Sequence, residues 1–164
     1  MMETGGPLQA PFPWYGGKSR AADLVWQHLG NPRHYVEPFA GSLAVLLARR
    51  HPTGQETVND LDAYVANFWR AITASPDAVA QWADSPISEV DLHARHRWLV
   101  AQHAAGFREQ LMYDPCYYDE QIAGGWPWGL SQWSGGDRCR GTASGVPPRK
   151  RPGLDRGRPG APRH

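Results

Sequence analysis

Tyr35-Val36-Glu37-Pro38-Phe39-Ala40-Gly41-Ser42 is the stretch on which the reading of this chain turns. His34 to Glu37 is short and partly β-branched, and Pro38 stops it, because proline has no N–H for a sheet and restrains the residue before it. Gly41 then lets backbone approach a ligand closely, and a helix is predicted from Ser42 to about Arg50. A strand that ends at a glycine-bearing loop and feeds a helix is the unit from which parallel sheets are built.

The flanking sequence extends this unit in both directions. Upstream, Ser19 to Leu29 places Ala21, Leu24, Val25, His28 and Leu29 at helical spacing until Asn31-Pro32 ends the run. Downstream, Glu56 to Asn59 reads as a second strand, and Ala63 to Thr73 as a helix presenting Val65, Phe68, Trp69 and Ile72. Helix, strand, helix, strand, helix predicts an α/β, doubly wound (Rossmann-like) parallel sheet with right-handed crossovers. Such sheets take ligands outside the carboxyl ends of their strands. Ser75-Pro76-Asp77 opens a helix ending near Ala83, and Ser88 followed by Asp91 opens a longer one predicted to reach about Leu111. No run of β-branched or alternating apolar residues after Ala74 predicts a further strand, so residues 75–112 read as a helical insertion.

A chain of 164 residues with 41% hydrophobic content and eight Trp can bury the core of about one domain. No apolar run approaches the ~18 residues of a membrane span, and Met1 to Ala10 lacks the pattern of a signal peptide. The cytoplasm is the default location, with no membrane partner. Cys116 and Cys139 have no CxxC pairing and read as reduced thiols.

The net charge of +1 hides a split at Trp133: residues 134–164 hold eight Arg or Lys against two Asp, leaving 1–133 with the opposite sign. Seven Gly, five Pro and no aromatic residue in 134–164 predict a disordered tail, which cannot bury enough surface to offset its conformational entropy. A basic tail attracts nucleic acid or acidic lipid. Out-of-frame translation of a GC-rich gene also yields this mixture, and that reading of the tail is preferred.

Three motifs then stand in order: Pro11-Phe12-Pro13-Trp14-Tyr15-Gly16-Gly17-Lys18, the Glu37 to Ser42 loop, and Thr57-Val58-Asn59-Asp60-Leu61-Asp62. An acid at the end of the second strand, about 20 residues beyond the loop, is placed for the hydroxyls of a ribose; Asp60 fits, with Asp62 as runner-up. Taken singly, Gly41 reads as a turn glycine and Asp60 as a helix N-cap. A dinucleotide fingerprint GxGxxG would need a glycine where Leu43 stands, and a phosphate-binding GxxxxGK[ST] loop would need one at Phe12, although Gly17-Lys18-Ser19 supplies its end.

Trp14-Tyr15-Gly16-Gly17-Lys18, Glu37-Pro38-Phe39-Ala40-Gly41-Ser42 and Asn59-Asp60 together resemble the DNA adenine methylase (Dam-type) family of adenine-N6 methyltransferases, over residues 11 to about 73. The resemblance implies S-adenosyl-L-methionine as cofactor and double-stranded DNA as substrate. It implies that Trp14, Tyr15, Gly17 and Lys18 help enclose the cofactor, that Glu37, Pro38, Phe39, Gly41 and Ser42 cradle its methionine end, and that Asp60 binds its ribose. Leu43 departs from the family's small residue.

The family's catalytic motif is Asp-Pro-Pro-Tyr at the end of a central strand. There the carboxylate and a backbone carbonyl accept the hydrogens of the adenine amine, and the tyrosine stacks on the flipped-out base. The nearest match is Asp114-Pro115-Cys116-Tyr117, making Asp114 and Tyr117 the catalytic candidates, but Phe107 to Leu111 before it reads as helix. Residues Tyr117 to Trp133 look like a segment that phage-type relatives carry ahead of their catalytic motif. The resemblance therefore implies the N-terminal part of such an enzyme, 1–133, cut short near Trp133. A cofactor-binding remnant without activity is the alternative, and a P-loop nucleotide hydrolase a second. His93, His96 and His103 share a helical face without the partners of a metal site, and Trp126, Trp128 and Trp133 read as packing residues rather than base-stacking ones.

Overall fold

A computed structural model of the chain describes residues 8–51 and 54–132. Its sheet has two parallel strands, β1 (His34–Glu37) and β2 (Gln55–Val58), in the register His34 to Gln55 through Glu37 to Val58. Alternation turns Tyr35 and Glu37 inward and leaves His34 and Val36 exposed. Behind the inward face, α1 (Ala22–Leu29) lays the Trp26 indole against the Tyr35 ring at 4.8 Å, and Trp26 Nε1 donates to the Val45 carbonyl at 2.7 Å. Ala22, Trp26, Tyr35 and Val45 form the small core of this half. Arg49 holds its rim: its guanidinium lies over Trp26 and bonds Asn31, the Pro32 carbonyl and Glu56.

Two helices here differ from the expected bounds. Ser19–Ala21 is a 3-10 turn, so the regular helix starts at Ala22 and not at Ser19. The helix expected from Ser42 to Arg50 is only the single turn α2 (Ala44–Leu47). Gly41 and Leu43 both adopt positive φ, +51° and +54°, so the chain is still turning where the helix was expected to have begun. For leucine that backbone is strained; its side chain is buried in return.

The second half is helical: α3 (Ala63–Ala74), α4 (Pro76–Ala83), α5 (Glu89–Ala104), α6 (Phe107–Tyr113) and α7 (Glu120–Gln132). Its core joins Phe12, Tyr64, Val65, Phe68, Val79, Leu99, Phe107, Leu111, Ile122 and Trp126. The helix expected to run from Ser88 to Leu111 is broken, because Gly106 sits at φ +94° and redirects the chain between α5 and α6. Conversely α7 is continuous across Gly124-Gly125 and Pro127, residues that locally disfavour a helix. A Cβ on Gly124 would lie 2.4 Å from Trp82 Cβ and 2.5 Å from the Val79 carbonyl oxygen, so the bare glycine is what lets α7 press against α4. The fully buried Asn67 amide locks α7 to α3, donating to the Asp119 carbonyl at 2.8 Å and accepting the Asp119 N–H at 2.7 Å.

The described residues thus form a helix-rich α/β arrangement with a small parallel sheet, compatible with the expected class, while a full doubly wound sheet is not present among them. No helix among them is long and apolar enough to cross a membrane. Trp133, Cys139 and the basic segment 134–164 lie outside the described residues.

Candidate ligand cleft at the strand ends

Parallel pairing brings the ends of β1 and β2 side by side, and the loops that leave them are stitched together. Asn59 N–H donates to the Glu37 carbonyl and Ala40 N–H to the Asn59 carbonyl, both at 2.9 Å, while Asn59 Nδ2 donates to the Pro38 carbonyl at 3.2 Å. Asp60 then accepts the Gly41 N–H on Oδ2 at 2.8 Å and the Asp62 N–H on Oδ1 at 3.0 Å. The N-cap of α3 is Asp62, which accepts the Tyr64 N–H at 2.9 Å; the alternative in which Asp60 is the N-cap is therefore corrected. Burial raises the Asp62 pKa. The Tyr64 N–H opposes that rise and the neighbouring Asp60 charge adds to it.

The Trp14 to Lys18 segment closes over this loop. Gly17 N–H donates to the Trp14 carbonyl at 2.9 Å around Gly16 at φ +74°, a turn that needs a positive φ at its third position. The Trp14 indole lies flat on Gly41, where an added Cβ would meet Nε1 at 2.5 Å. Lys18 Nζ sits 2.8 Å from Glu37 Oε1 and also donates to the Phe39 carbonyl. Glu37 is only 3% exposed, and its other oxygen accepts the Tyr35 hydroxyl at 3.2 Å. Burial, reinforced by the Glu37 charge, pushes the Tyr35 phenol far above its ordinary range.

Between these two segments opens a cleft of ≈ 390 Å³ lined by Trp14, Tyr15, Gly16, Gly17, Lys18, Phe39, Ala40, Ser42, Ala44 and Asp60. That volume lies within the range of small-molecule and cofactor sites. Its chemistry is mixed: an ammonium from Lys18, a carboxylate from Asp60, and the rings of Tyr15 and Phe39, which are 70% and 81% exposed. A zwitterionic end, a diol and a flat base fit this donor set. Glu37, Pro38 and Gly41 are not among the lining residues. A larger hollow of ≈ 620 Å³ between Leu8–Pro13 and the α1 and α2 side contains none of the Glu37 to Ser42 polar groups.

Asp114 and Tyr117 are not among the residues lining that cleft; they are in the loop between α6 and α7. Asp114 Oδ1 accepts the Cys116 N–H at 2.8 Å, and Arg70 Nη1 donates to the carbonyls of Leu111, Asp114 and Tyr117 at 3.1, 3.1 and 3.2 Å. The loop therefore follows a helix and is tied down by its backbone. Burial, then the Asp119 charge, raises the Tyr117 pKa. Among the described residues no group of three or more His, Cys, Asp or Glu is placed to hold a metal. His103 stacks on Tyr64, and His93 Nε2 faces Glu89 Oε1 at 3.8 Å. Trp126 and Trp128 are buried, and Trp128 Nε1 donates to the Ser85 carbonyl at 2.9 Å.

One residue at this site was read only as a helix-face position: Trp69, whose Nε1–H donates to the Gly41 carbonyl at 3.0 Å. Its sole signal in the sequence is its place in the α3 periodicity, which says that it faces inward and nothing about the loop it reaches.

No curated protein and no solved structure matches the chain. The family model described as D12 class N6 adenine-specific DNA methyltransferase matches residues 14–95, half of the 164 residues, and includes every residue that lines the cleft. The chain belongs to the D12 class of N6 adenine-specific DNA methyltransferases.

Proposed function

We propose that this chain binds S-adenosyl-L-methionine in the ≈ 390 Å³ cleft and serves methyl transfer to adenine N6 in double-stranded DNA. The observation that carries the reading is convergence. Three motifs separated by some 20 residues each meet at one cleft over the carboxyl ends of parallel strands, where open α/β sheets take ligands. In this reading Lys18 and the Phe39 to Ser42 loop hold the methionine end, and Asp60 accepts a ribose hydroxyl with the lone pairs that its two backbone bonds leave unused. Tyr15 and Phe39 supply faces for the adenine ring. When bound, the cofactor supplies a methyl group activated by the positive sulfonium to which it is attached. Trp14 and the Gly16-Gly17 turn exclude water from one side of that position.

A second reading, cofactor binding without transfer, is favoured by the placement of Asp114 and Tyr117 outside the cleft lining. Incubating the full chain with S-adenosylmethionine and unmethylated duplex DNA, then measuring N6-methyladenine by mass spectrometry of the digest, separates the two. Product that is lost on Asp114→Ala assigns that loop to catalysis. Absence of product from folded, cofactor-binding chain supports the second reading, and absence of cofactor binding removes both.

A further inference from the structure

We infer that Trp69 is a positioning residue for the ligand loop, acting through the Gly41 carbonyl; the inference rests on the reading that the cleft holds S-adenosyl-L-methionine. Gly41 is held through the two peptide groups that flank it. Its N–H goes to Asp60 Oδ2 at 2.8 Å and its carbonyl receives the Trp69 Nε1–H at 3.0 Å. Neither bond closes a helix or a sheet ladder, so both serve the loop alone. Between them they hold a residue at φ +51°, followed two residues later by Leu43 at φ +54°. A segment with two left-handed residues in three has no regular hydrogen-bond ladder to keep its shape, and persists only when its surroundings over-determine it.

Trp69 can provide that constraint because it is anchored elsewhere. It is on α3, its ring meets Phe68 edge-on at 5.1 Å and Phe12 at 6.4 Å, and it is not part of the cleft lining. Its N–H thus fixes the loop to the aromatic core of the helical half. The two residues that flank Gly41, Ala40 and Ser42, do line the cleft. The Gly41 carbonyl shares its peptide group with Ser42, so a lost bond at Trp69 frees that group to rotate and is felt at Ser42 by a ligand that never touches the indole.

The test separates the donor from the ring. Phenylalanine keeps a packed aromatic ring and has no N–H. Histidine is smaller, yet its Nε2 occupies the ring position of the indole Nε1. We expect Trp69→Phe to weaken binding of S-adenosylhomocysteine by about tenfold in calorimetric titration, the worth of one partly buried hydrogen bond. Trp69→His, although packed less well, should stay within about threefold of wild type, because it restores the donor. A purely structural role predicts the reverse order, tracking thermal stability. Equal affinity of wild type and folded Trp69→Phe overturns the inference, as does a folded Trp69→His that binds no better than Trp69→Phe. If Trp69→Phe does not fold, a tenfold loss in folded Trp69→His overturns it. Wild-type chain that is folded and does not bind S-adenosylhomocysteine overturns instead the reading of the cleft, and with it this inference.

Discussion

The Asp60 carboxylate accepts the Gly41 N–H at 2.8 Å, so the loop leaving β1 is braced by a residue just beyond the end of β2. Its second oxygen takes the Asp62 N–H at the start of α3. One side chain therefore joins both strand ends and a helix, and it does so from the wall of the cleft. Asp60→Asn is accordingly not a conservative change. One oxygen becomes an NH2 group facing a backbone N–H, so a charge-assisted bond is replaced by two opposed donors. The expected loss is about 2 kcal/mol of stability by urea unfolding, together with weaker binding of S-adenosylhomocysteine.

Gly41 tests the contact on the other face of the loop. Gly41→Ala places a methyl group 2.5 Å from Trp14 Nε1 at a φ of +51°, adding a clash to a left-handed backbone. The backbone term alone costs about 1–2 kcal/mol, and the clash adds to it. In a Trp14→Ala background only the backbone term remains. Urea unfolding should therefore show a smaller effect of Gly41→Ala there than in the wild-type background; equal effects would mean that Trp14 does not pack on Gly41.

The Lys18 to Glu37 pair makes a third prediction. Lys18→Met removes the ion-pair partner of the buried Glu37 carboxylate and leaves it the Tyr35 hydroxyl, which donates to it at 3.2 Å. Because Lys18 is 39% exposed, the cost is set at about 2 kcal/mol, below that of a fully buried pair. Adding Glu37→Gln to Lys18→Met should recover more than half of that loss in a double-mutant cycle. Additive losses would show that the two side chains are not coupled.

Alkaline unfolding reports on Tyr64. Burial, then the Asp62 charge, raises its pKa from 10.0 to about 12. Between those values the unfolded chain gives up its proton before the folded one, so stability is complete below pH 10 and falls as the pH rises toward 12. Tyr64→Phe removes this contribution along with the hydroxyl bond to the Leu99 carbonyl. The variant should be less stable at neutral pH and show a shallower fall in stability above pH 10; Tyr35, shifted in the same direction, accounts for a residual slope. An unchanged slope would place the alkaline transition on other groups.

Local chemistry settled a large share of this protein. Pro38 ends β1, Asp62 is an acid at the head of α3, and Ser75-Pro76 opens α4, each through neighbours a few residues away. Local preference and outcome part wherever a distant contact outweighs it. Gly124-Gly125 and Pro127 argue against helix, yet α7 forms because the missing Cβ at Gly124 admits the α4 backbone and side chains. Gly106 is the other case: the helix expected to run through it to about Leu111 ends instead, with Gly106 at φ +94° between α5 and α6.

The site divides the same way. Sequence by itself determined the family motifs, their order and the residue types available to a cofactor, because spacing along a strand and loop is a local property. Tertiary structure alone decided that Asp60 braces Gly41 while Asp62 caps the helix, that Trp69 reaches the Gly41 carbonyl from α3, and that Asp114 and Tyr117 are not among the residues lining the cleft. The physical reason is that hydrogen bonds between residues separated by 19 or 28 positions depend on how strands and helices pack, and no propensity or periodicity carries that information.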